Sequence, residues 1–292
     1  MRQKIMSGLV VGGVAVALGF PLAQENVAEI EQVKANLYVI TGGGGNTAAL
    51  VADNGVVLVD TKNPGWGSAI LDKVRTVTDK PVTHIINTHT HGDHVGSNID
   101  FSLPVEVVAH ANTKSNMEKM EAFQSASGQR YLPSRTYDDR LTLFDGDDQI
   151  DLYHFGAGHT HGDTIVVFSG LGVAHTGDLF AWKGVPYIDV NNGGSGVQYP
   201  KTLLAAADAI PGVEMVIPGH SPVMTWDDFR EFGEFNRDFL TSVERGKAAG
   251  KTAAETAASL DLPARYANYA MSRGTLTSAE DNATKIYAEL DR

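Results

Sequence analysis

Short apolar runs, separated by polar or glycine-rich turns, recur along the first three quarters of the chain. Their length and their content of β-branched residues are typical of strands. The turn pair Asn54-Gly55 and the acidic turn at 145–148 indicate hairpins. The pattern predicts strands over residues 37–40, 47–52, 56–59, 82–86, 105–109, 141–144, 150–155, 164–168, 172–175 and 213–217.

Apolar residues at helical spacing alternate with these strands and predict helices over 68–78, 112–122 and 202–210. From Thr225 onward the chain is helix-rich, with further helices predicted over 253–260 and 278–290. A stripe at intervals of three or four residues in this tail is typical of a face that packs on a core: Phe229, Phe232, Phe235, Phe239 and Val243. The order of strand, helix and strand predicts an α/β fold with loops gathered at the carboxyl ends of strands.

The strand over 82–86 leads into the sequence His-Thr-His-Gly-Asp-His at 89–94. Imidazole and carboxylate are ligands that suit zinc, and alternation along an extended segment points His89 and His91 to the same side. Asp93 and His94 can then turn toward a second position. A polar loop that happens to be rich in histidine is the alternative. Residues of the same kind follow three later strands, which favours the metal site: His159, Asp178 and His220.

Composition narrows the possible partners and ligands. The chain has 292 residues, of which 42% are hydrophobic, and we expect one domain with a core at about 30–225 and a helical tail at about 226–292. The formal net charge of −12 and the absence of a basic block exclude an electrostatic surface for nucleic acid. The chain has no cysteine, so every metal ligand must be nitrogen or oxygen.

Residues 1–23 have the pattern of a secretory signal peptide, because Arg2 and Lys4 precede an apolar run that leads to Pro21. We expect cleavage after Ala23 and a periplasmic or secreted mature protein, residues 24–292. A retained signal anchor is the alternative, although the run is short for a membrane span. No later stretch is long and apolar enough to cross a bilayer, so we expect no stable membrane insertion after cleavage.

Four motifs together resemble the metallo-β-lactamase superfamily over roughly residues 30–225: HTHGDH at 89–94, GAGHT at 156–160, TGD at 176–178 and PGH at 218–220. The resemblance implies a four-layer αββα sandwich with a binuclear zinc site, two Zn²⁺ per chain, at one edge. It also implies a ligand set. His89, His91 and His159 would bind one zinc, Asp93, His94 and His220 the other, and Asp178 would bridge them.

Such a ligand set suits hydrolysis. Two divalent cations leave room for a bridging water whose pKa falls toward neutrality, which supplies a hydroxide nucleophile without a serine or cysteine. Asp93 is placed to orient this nucleophile and to move a proton. The sequence therefore predicts a hydrolase that acts on a carbonyl-type bond, an ester, lactone or thioester, in a small-molecule substrate.

The motifs favour one branch of the superfamily over others. The β-lactamases with a cysteine ligand are excluded, while Asp178 and the GHTHG sequence at 158–162 resemble the glyoxalase II and lactonase branches. Two features depart from those branches: the basic residues that hold glutathione in glyoxalase II are not evident in the segment 179–184 after Asp178, and Ala181 stands where lactonases have tyrosine. β-Lactamase activity is the runner-up. An iron-dependent redox or dioxygenase member of the fold is the second alternative, and a metal-free binding module is the least favoured.

Several residues near these motifs have two interpretations. Asp60 either orients a metal-bound histidine or caps a turn, and the glycines at 42–45 form a hairpin tip or a flap over the site. Residues 123–140 form an irregular surface loop or a lid. Tyr187, Asn191 or Asn192 lie in a turn or contact substrate. The other histidines match no ligand position, with His161 the one nearest to a motif: His84, His110, His154, His161 and His175.

Overall fold

Residues 27–292 are described in a computed structural model, and their strands form two sheets. The first sheet has seven strands in chain order, antiparallel from β1 to β4 and parallel from β4 to β7. Its strands are β1 (Glu29–Lys34), β2 (Leu37–Thr41), β3 (Thr47–Ala52), β4 (Gly55–Val59), β5 (Val82–Asn87), β6 (Glu106–His110) and β7 (Arg135–Tyr137).

The second sheet has six strands, arranged as β13-β12-β11-β10-β9-β8. All neighbours are antiparallel except β11 and β12, which are parallel. Its strands are β8 (Arg140–Leu143), β9 (Ile150–Tyr153), β10 (Ile165–Phe168), β11 (Val173–Gly177), β12 (Met215–Pro218) and β13 (Met224–Thr225). Because the carboxyl ends of parallel strands lie at the same edge of a sheet, the residues that follow β11 and those that follow β12 lie close together.

Seven α-helices occur in the described part of the chain: α1 (Gly67–Val74), α2 (Gly92–Val95), α3 (Ala111–Met117), α4 (Tyr199–Ala209), α5 (Trp226–Ala248), α6 (Ala253–Ala258) and α7 (Ala279–Leu290). The inner faces of the two sheets share one apolar core that includes Leu50, Ile86 and Val166. Helix α1 covers the outer face of the first sheet, while α4, α5 and α7 cover the second. The expected αββα sandwich with a helical C-terminal part is confirmed.

Helix α5 begins with a capping box, in which Thr225 Oγ1 accepts a hydrogen bond from Asp228 N and the Asp228 carboxylate accepts from Thr225 N. All five members of the predicted aromatic and apolar stripe are buried in the core between α5, α4 and the second sheet. Burying a side chain of this size contributes about 1.5–3 kcal/mol, so the stripe is a main support of the tail. None of the helices in residues 27–292 combines the length and apolarity needed to span a membrane.

The predicted signal peptide lies outside the described residues, and three other expectations need correction. Strand β1 is absent from the sequence-based prediction, since Ile30 and Val33 are its only apolar residues and it pairs along one edge only. Helix α3 ends at Met117 instead of residue 122, because the chain turns and buries Phe123 against Val95. Residues 123–140 are not wholly irregular, since β7 extends the first sheet, and they contribute no side chain to the cavity at the histidine motif.

Candidate metal centre

The histidine motif lies at the carboxyl end of β5. His89 and His91 follow the strand, and His91 precedes the short helix α2, on which Asp93 and His94 lie one after the other. His91 N-caps α2 with φ of −67° and ψ of 147°. The sharp change from extended backbone to helix therefore sends the four side chains toward two neighbouring positions, as the sequence predicts.

Three further side chains reach this place from the second sheet. His159 lies in the loop between β9 and β10, Asp178 directly follows β11, and His220 follows β12. Within each of two groups, one potential ligand atom from every residue lies within 4.8 Å of the others. The groups are His89, His91, His159 and Asp178, and Asp93, His94 and His220. The structure thus brings together all seven residues proposed from the sequence.

Asp178 lies between the two groups. Its Oδ1 atom is 3.3 Å from His94 Nε2 and 3.2 Å from His220 Nε2, while its Oδ2 atom is 3.8 Å from His159 Nε2. One carboxylate oxygen therefore faces each group. This is the arrangement that a bridging ligand requires.

The donor atoms fit a metal ion. His89 Nε2 and Asp178 Oδ1 are buried, and among the described residues neither makes a hydrogen bond of acceptable geometry, although Asp178 Oδ1 lies in ion-pair contact with His94 and His220. Leaving such groups unsatisfied costs about 1–3 kcal/mol each, more for a charged group, and both residues belong to the cluster of potential ligands. Cations held by the two groups would satisfy both atoms. A nitrogen and oxygen donor set of this kind suits zinc.

Other groups fix the orientation of the imidazoles by binding the ring nitrogen that faces away from the cluster. His94 Nδ1 donates to Asp60 Oδ2 at 2.7 Å, His91 Nε2 donates to Asp189 Oδ2 at 2.7 Å, and His159 Nδ1 donates to a backbone carbonyl at 2.6 Å. Such contacts select the tautomer whose other nitrogen is free to bind metal. Asp60 therefore orients a histidine, the first of its two interpretations.

Three of the seven clustered side chains are in the protonation state that binds a metal. Burial and neighbouring imidazoles hold the pKa of His89 well below its usual value, and burial lowers the pKa of His159 to about 4. Burial would raise the pKa of Asp178, but the charges of His94 and His220 outweigh it and hold that pKa well below its usual value. Metal ligation needs neutral imidazoles and ionised carboxylates, so these three side chains are already in the form that binds. His94 and His220 differ: despite burial, the neighbouring carboxylates raise the pKa of His94 well above its usual value and that of His220 to about 9, so each would release a proton when a metal binds.

The glycine segment 42–45 forms a wall of the site. Gly45 N donates to Asp93 O at 3.0 Å, and the buried Lys62 ammonium donates to Gly45 O at 2.8 Å. A Cβ atom on Gly45 would lie 2.2 Å from His94 Cε1, so a side chain at this position would displace the imidazole. The hairpin prediction is confirmed, and its tip packs directly against the cluster.

A model of the metallo-beta-lactamase superfamily matches residues 40–220, a range that includes all seven clustered side chains. The chain belongs to the metallo-β-lactamase superfamily. Members of this superfamily are mostly hydrolases. The fold class expected from the four sequence motifs is therefore the correct one.

The proteins similar to this chain include two relatives and one solved structure. It is 25% identical over 223 residues to metallo-beta-lactamase type 2 of Elizabethkingia meningoseptica, covering 68% of this chain and 80% of that protein. It is 32% identical over 146 residues to 2,4-dinitroanisole O-demethylase subunit alpha of Nocardioides sp. (strain JS1661), covering 47% of this chain but only 42% of that subunit. The sec-alkylsulfatase Pisa1 from Pseudomonas sp. superposes with a TM-score of 0.72 over 90% of this chain and 50% of its own, and at 16% identity the likeness is one of fold.

A cavity of about 220 Å³ opens onto the seven clustered side chains. Four of its lining residues belong to the seven, namely His91, Asp93, Asp178 and His220. The others are Trp182, Tyr187, Arg273 and Leu276. Tyr187 thus faces the site, whereas Asn191 and Asn192 lie in a turn in which both backbone amides donate to Asp189 Oδ1.

The remaining histidines lie outside the cluster. His161 packs on Gly193 and its Nδ1 atom lies 3.3 Å from Asn116 Nδ2, and His110 and His154 stack with ring centres 3.9 Å apart.

Three residues of the site are not predicted by the sequence motifs: Asp189, Trp182 and Arg273. The signal for Asp189 is only a carboxylate in the segment after Asp178, and Arg273 lies in the tail without any motif. Each of them reaches the site through a tertiary contact, which a local pattern does not record.

Proposed function

We propose that this protein is an exported, binuclear zinc-dependent hydrolase that cleaves an ester, lactone or thioester of a small molecule. The observation that carries the proposal is the position of Asp178, which faces both groups of histidines with one oxygen each. His89, His91 and His159 would hold one zinc, and Asp93, His94 and His220 the other, with Asp178 shared. When bound, the metal supplies Lewis-acid polarisation of the scissile group and lowers the pKa of water.

The chain's own residues supply position and proton transfer. Asp93 Oδ2 lies 3.3 Å from His220 Nε2, and the Asp93 side chain is about one third exposed toward the cavity. Partial burial would raise the pKa of Asp93, but the hydrogen bond from His220 and the charge of His94 outweigh it and lower that pKa, so the carboxylate is ionised at neutral pH. We infer that Asp93 accepts a proton from the attacking water and passes it to the leaving group, while Trp182 and Tyr187 shield the reacting bond from bulk solvent.

The glyoxalase II and lactonase-like branch is the proposed place within the superfamily, because an aspartate occupies the shared position and no cysteine is available. β-Lactam amides are the second candidate substrates. The specific support for them is the 25% identity to a metallo-beta-lactamase that extends over 80% of that enzyme.

Metal analysis and a substrate screen test the proposal together. Purified protein should contain about two zinc ions per chain by elemental analysis, since each group offers three protein ligands in addition to the shared carboxylate. It should hydrolyse at least one member of a panel of aryl esters, lactones, thioesters and a chromogenic β-lactam, and lose this activity on treatment with a chelator. Iron as the sole metal, or two zincs without hydrolysis of any panel member, would contradict the proposal.

Export is proposed from the composition of residues 1–23 and has its own test. Mature protein recovered from the native host should begin near Gln24 and lie outside the cytoplasm. Intact-mass measurement of periplasmic or secreted material gives the first residue. A chain that keeps Met1 would favour the signal-anchor interpretation.

A further inference from the structure

The C-terminal tail closes one side of the metal cavity with residues 270–279, which we call the tail loop. The loop is closed on itself, because Arg273 N donates to Thr277 O at 2.9 Å. It is also fixed to the segment that follows the shared aspartate: Val185 N donates to Ala270 O at 2.8 Å, and the buried Thr277 hydroxyl donates to Pro186 O at 2.9 Å. The tail loop is therefore a built wall of the cavity.

Arg273 projects from this wall into the cavity that contains the clustered carboxylates and histidines. Its guanidinium carbon lies 4.2 Å from the centre of the Trp182 ring. The ring is itself held in place, since Trp182 is buried and its Nε1 donates to Val185 O at 3.0 Å. A guanidinium stacked on a fixed aromatic ring is oriented before any ligand arrives, which lowers the entropy that binding would cost.

The guanidinium of Arg273 has no anionic partner among residues 27–292. Two other arginines stacked on aromatic rings differ in this respect, because Arg140 pairs with Asp151 at 3.0 Å and Arg265 pairs with Glu234 at 3.0 Å. The guanidinium donors of Arg273 thus remain available to an anion at the edge of the proposed catalytic cavity. Arginine carries no acceptor, and its planar fork matches a carboxylate.

The two carboxylates that line the cavity, Asp93 and Asp178, do not serve as the anionic partner of Arg273. Asp178 and Asp93 face His220 at 3.2 and 3.3 Å, and in the function proposed above both are metal ligands. Leu276, half exposed on the same loop as Arg273, offers an apolar contact next to the charge. The cavity therefore combines an electrophilic centre, an apolar side and a fixed cation.

We propose that Arg273 binds a carboxylate of the substrate, so that the substrate class is a small ester, lactone or thioester that carries a separate anionic group. This inference rests on the proposed function for the identity of the reacting bond. Arg273 is a binding residue in it, supplied by the tail and not by any of the four motifs.

A pair of ligands with matched chain length tests this inference without requiring turnover. Adipate and hexanoate each offer one carboxylate to the metals, but only adipate has a second for Arg273. Calorimetric titration of the zinc-loaded protein should show tighter binding of adipate. Arg273→Gln should weaken adipate about 10- to 100-fold, the range of a charge-assisted hydrogen bond, and change hexanoate less than about threefold.

The corresponding esters extend the test to catalysis. 4-Nitrophenyl hydrogen adipate should have a higher kcat/KM than 4-nitrophenyl hexanoate, and Arg273→Gln should remove this preference mainly through KM. Arg265→Gln, which removes a stacked arginine outside the cavity, should leave both substrates unchanged. Arg273→Lys keeps the positive charge but loses the planar guanidinium, so it should retain part of the preference for the adipate ester. It also serves as the test variant if Arg273→Gln does not fold.

These experiments test the proposed carboxylate site and the proposed hydrolase activity independently. If neither these esters nor any member of the panel of lactones, thioesters and β-lactam is hydrolysed but Arg273→Gln selectively weakens adipate, the carboxylate site stands and the hydrolase assignment is wrong. If the wild-type protein binds adipate no tighter than hexanoate, or Arg273→Gln weakens both ligands equally, the carboxylate site is wrong whatever the hydrolysis assays show.

Discussion

The Asp60 carboxylate accepts a hydrogen bond from His94 Nδ1 at 2.7 Å, and both side chains are fully buried. Asp60 also accepts from the Thr88 backbone amide at 2.8 Å and from the Thr88 hydroxyl at 2.7 Å. One residue at the end of β4 thus fixes the end of β5 and the tautomer of a proposed ligand. Its backbone adopts φ of +64°, which asparagine tolerates as well as aspartate.

Asp60→Asn should therefore keep the fold but weaken zinc at the group that contains His94. The substitution preserves size and backbone geometry while it removes the charge that holds the Nδ1 proton. We expect metal affinity to fall about 10- to 100-fold, the usual effect of removing a partner of a metal-bound histidine. Competition with a chromogenic chelator measures this affinity.

Asp151→Asn is the matched control for Asp60→Asn. Asp151 is also buried and accepts side-chain hydrogen bonds from Thr142, Gln149 and Ser169, but it lies outside the two proposed metal groups. It should lower stability without changing zinc affinity. Equal zinc affinity in Asp60→Asn and the wild-type protein would show that Asp60 has only a structural role.

Gly45→Ala should disrupt the metal centre, although it adds one methyl group only. The new Cβ would lie 2.2 Å from His94 Cε1, so the imidazole must move out of its position. Gly92→Ala is the control within the histidine motif itself, because a Cβ there would meet no atom within 4 Å. Elemental analysis should find fewer zincs in the first variant than in the second, which should match the wild-type protein. Full zinc content and activity in Gly45→Ala would show that the glycine segment does not pack tightly against His94.

Stability should fall between neutral pH and about pH 4 because of His110. Burial, together with the charge of His154, lowers the pKa of His110 to about 4, against about 6.5 in an unfolded chain. Above pH 6.5 the residue is neutral in both states and its contribution is fully present. As the pH drops toward 4, the unfolded chain takes up a proton that the folded protein excludes, which costs about 3 kcal/mol of stability.

His110→Asn isolates this effect. His110 Nδ1 accepts from Asn112 N at the start of α3, and asparagine can accept the same hydrogen bond without titrating. Urea unfolding of both proteins at pH 7 and pH 4.5 should show a loss that is smaller in the variant by about 2 kcal/mol. Metal release at low pH is common to both and cancels in the comparison. Identical losses would assign the acid sensitivity to other groups.

The seven clustered residues are predictable because most of them follow a strand whose apolar pattern is plain. His89 to His94 come after Val82–Asn87, and Asp178 and His220 come after strands that are parallel neighbours, so their shared edge follows from strand order. The long tail helix is predictable from its own pattern, since the stripe from Phe229 to Val243 has a clear period.

Local hydrophobic patterns do not predict contacts between segments that are distant in the sequence. Asp189 binds His91 across 98 positions of sequence, and nothing in the loop around Asp189 indicates which side chain it meets. Arg273 lies in the tail loop, where only the docking of that loop on the segment at 184–186 brings it to the cavity. Strand β1 escapes prediction because an edge strand with few apolar residues has little pattern to detect.

The proposed mechanism depends on Asp178 binding both metals. The zinc content of Asp178→Asn, measured together with its hydrolysis rate, tests this role. The change keeps the size of the side chain but removes its charge, so we expect about one zinc per chain and loss of activity, as in the ligand control His220→Ala. If Asp178→Asn retains two zincs and appreciable hydrolysis while His220→Ala loses one zinc, Asp178 is not a shared ligand and the proposed binuclear mechanism is wrong.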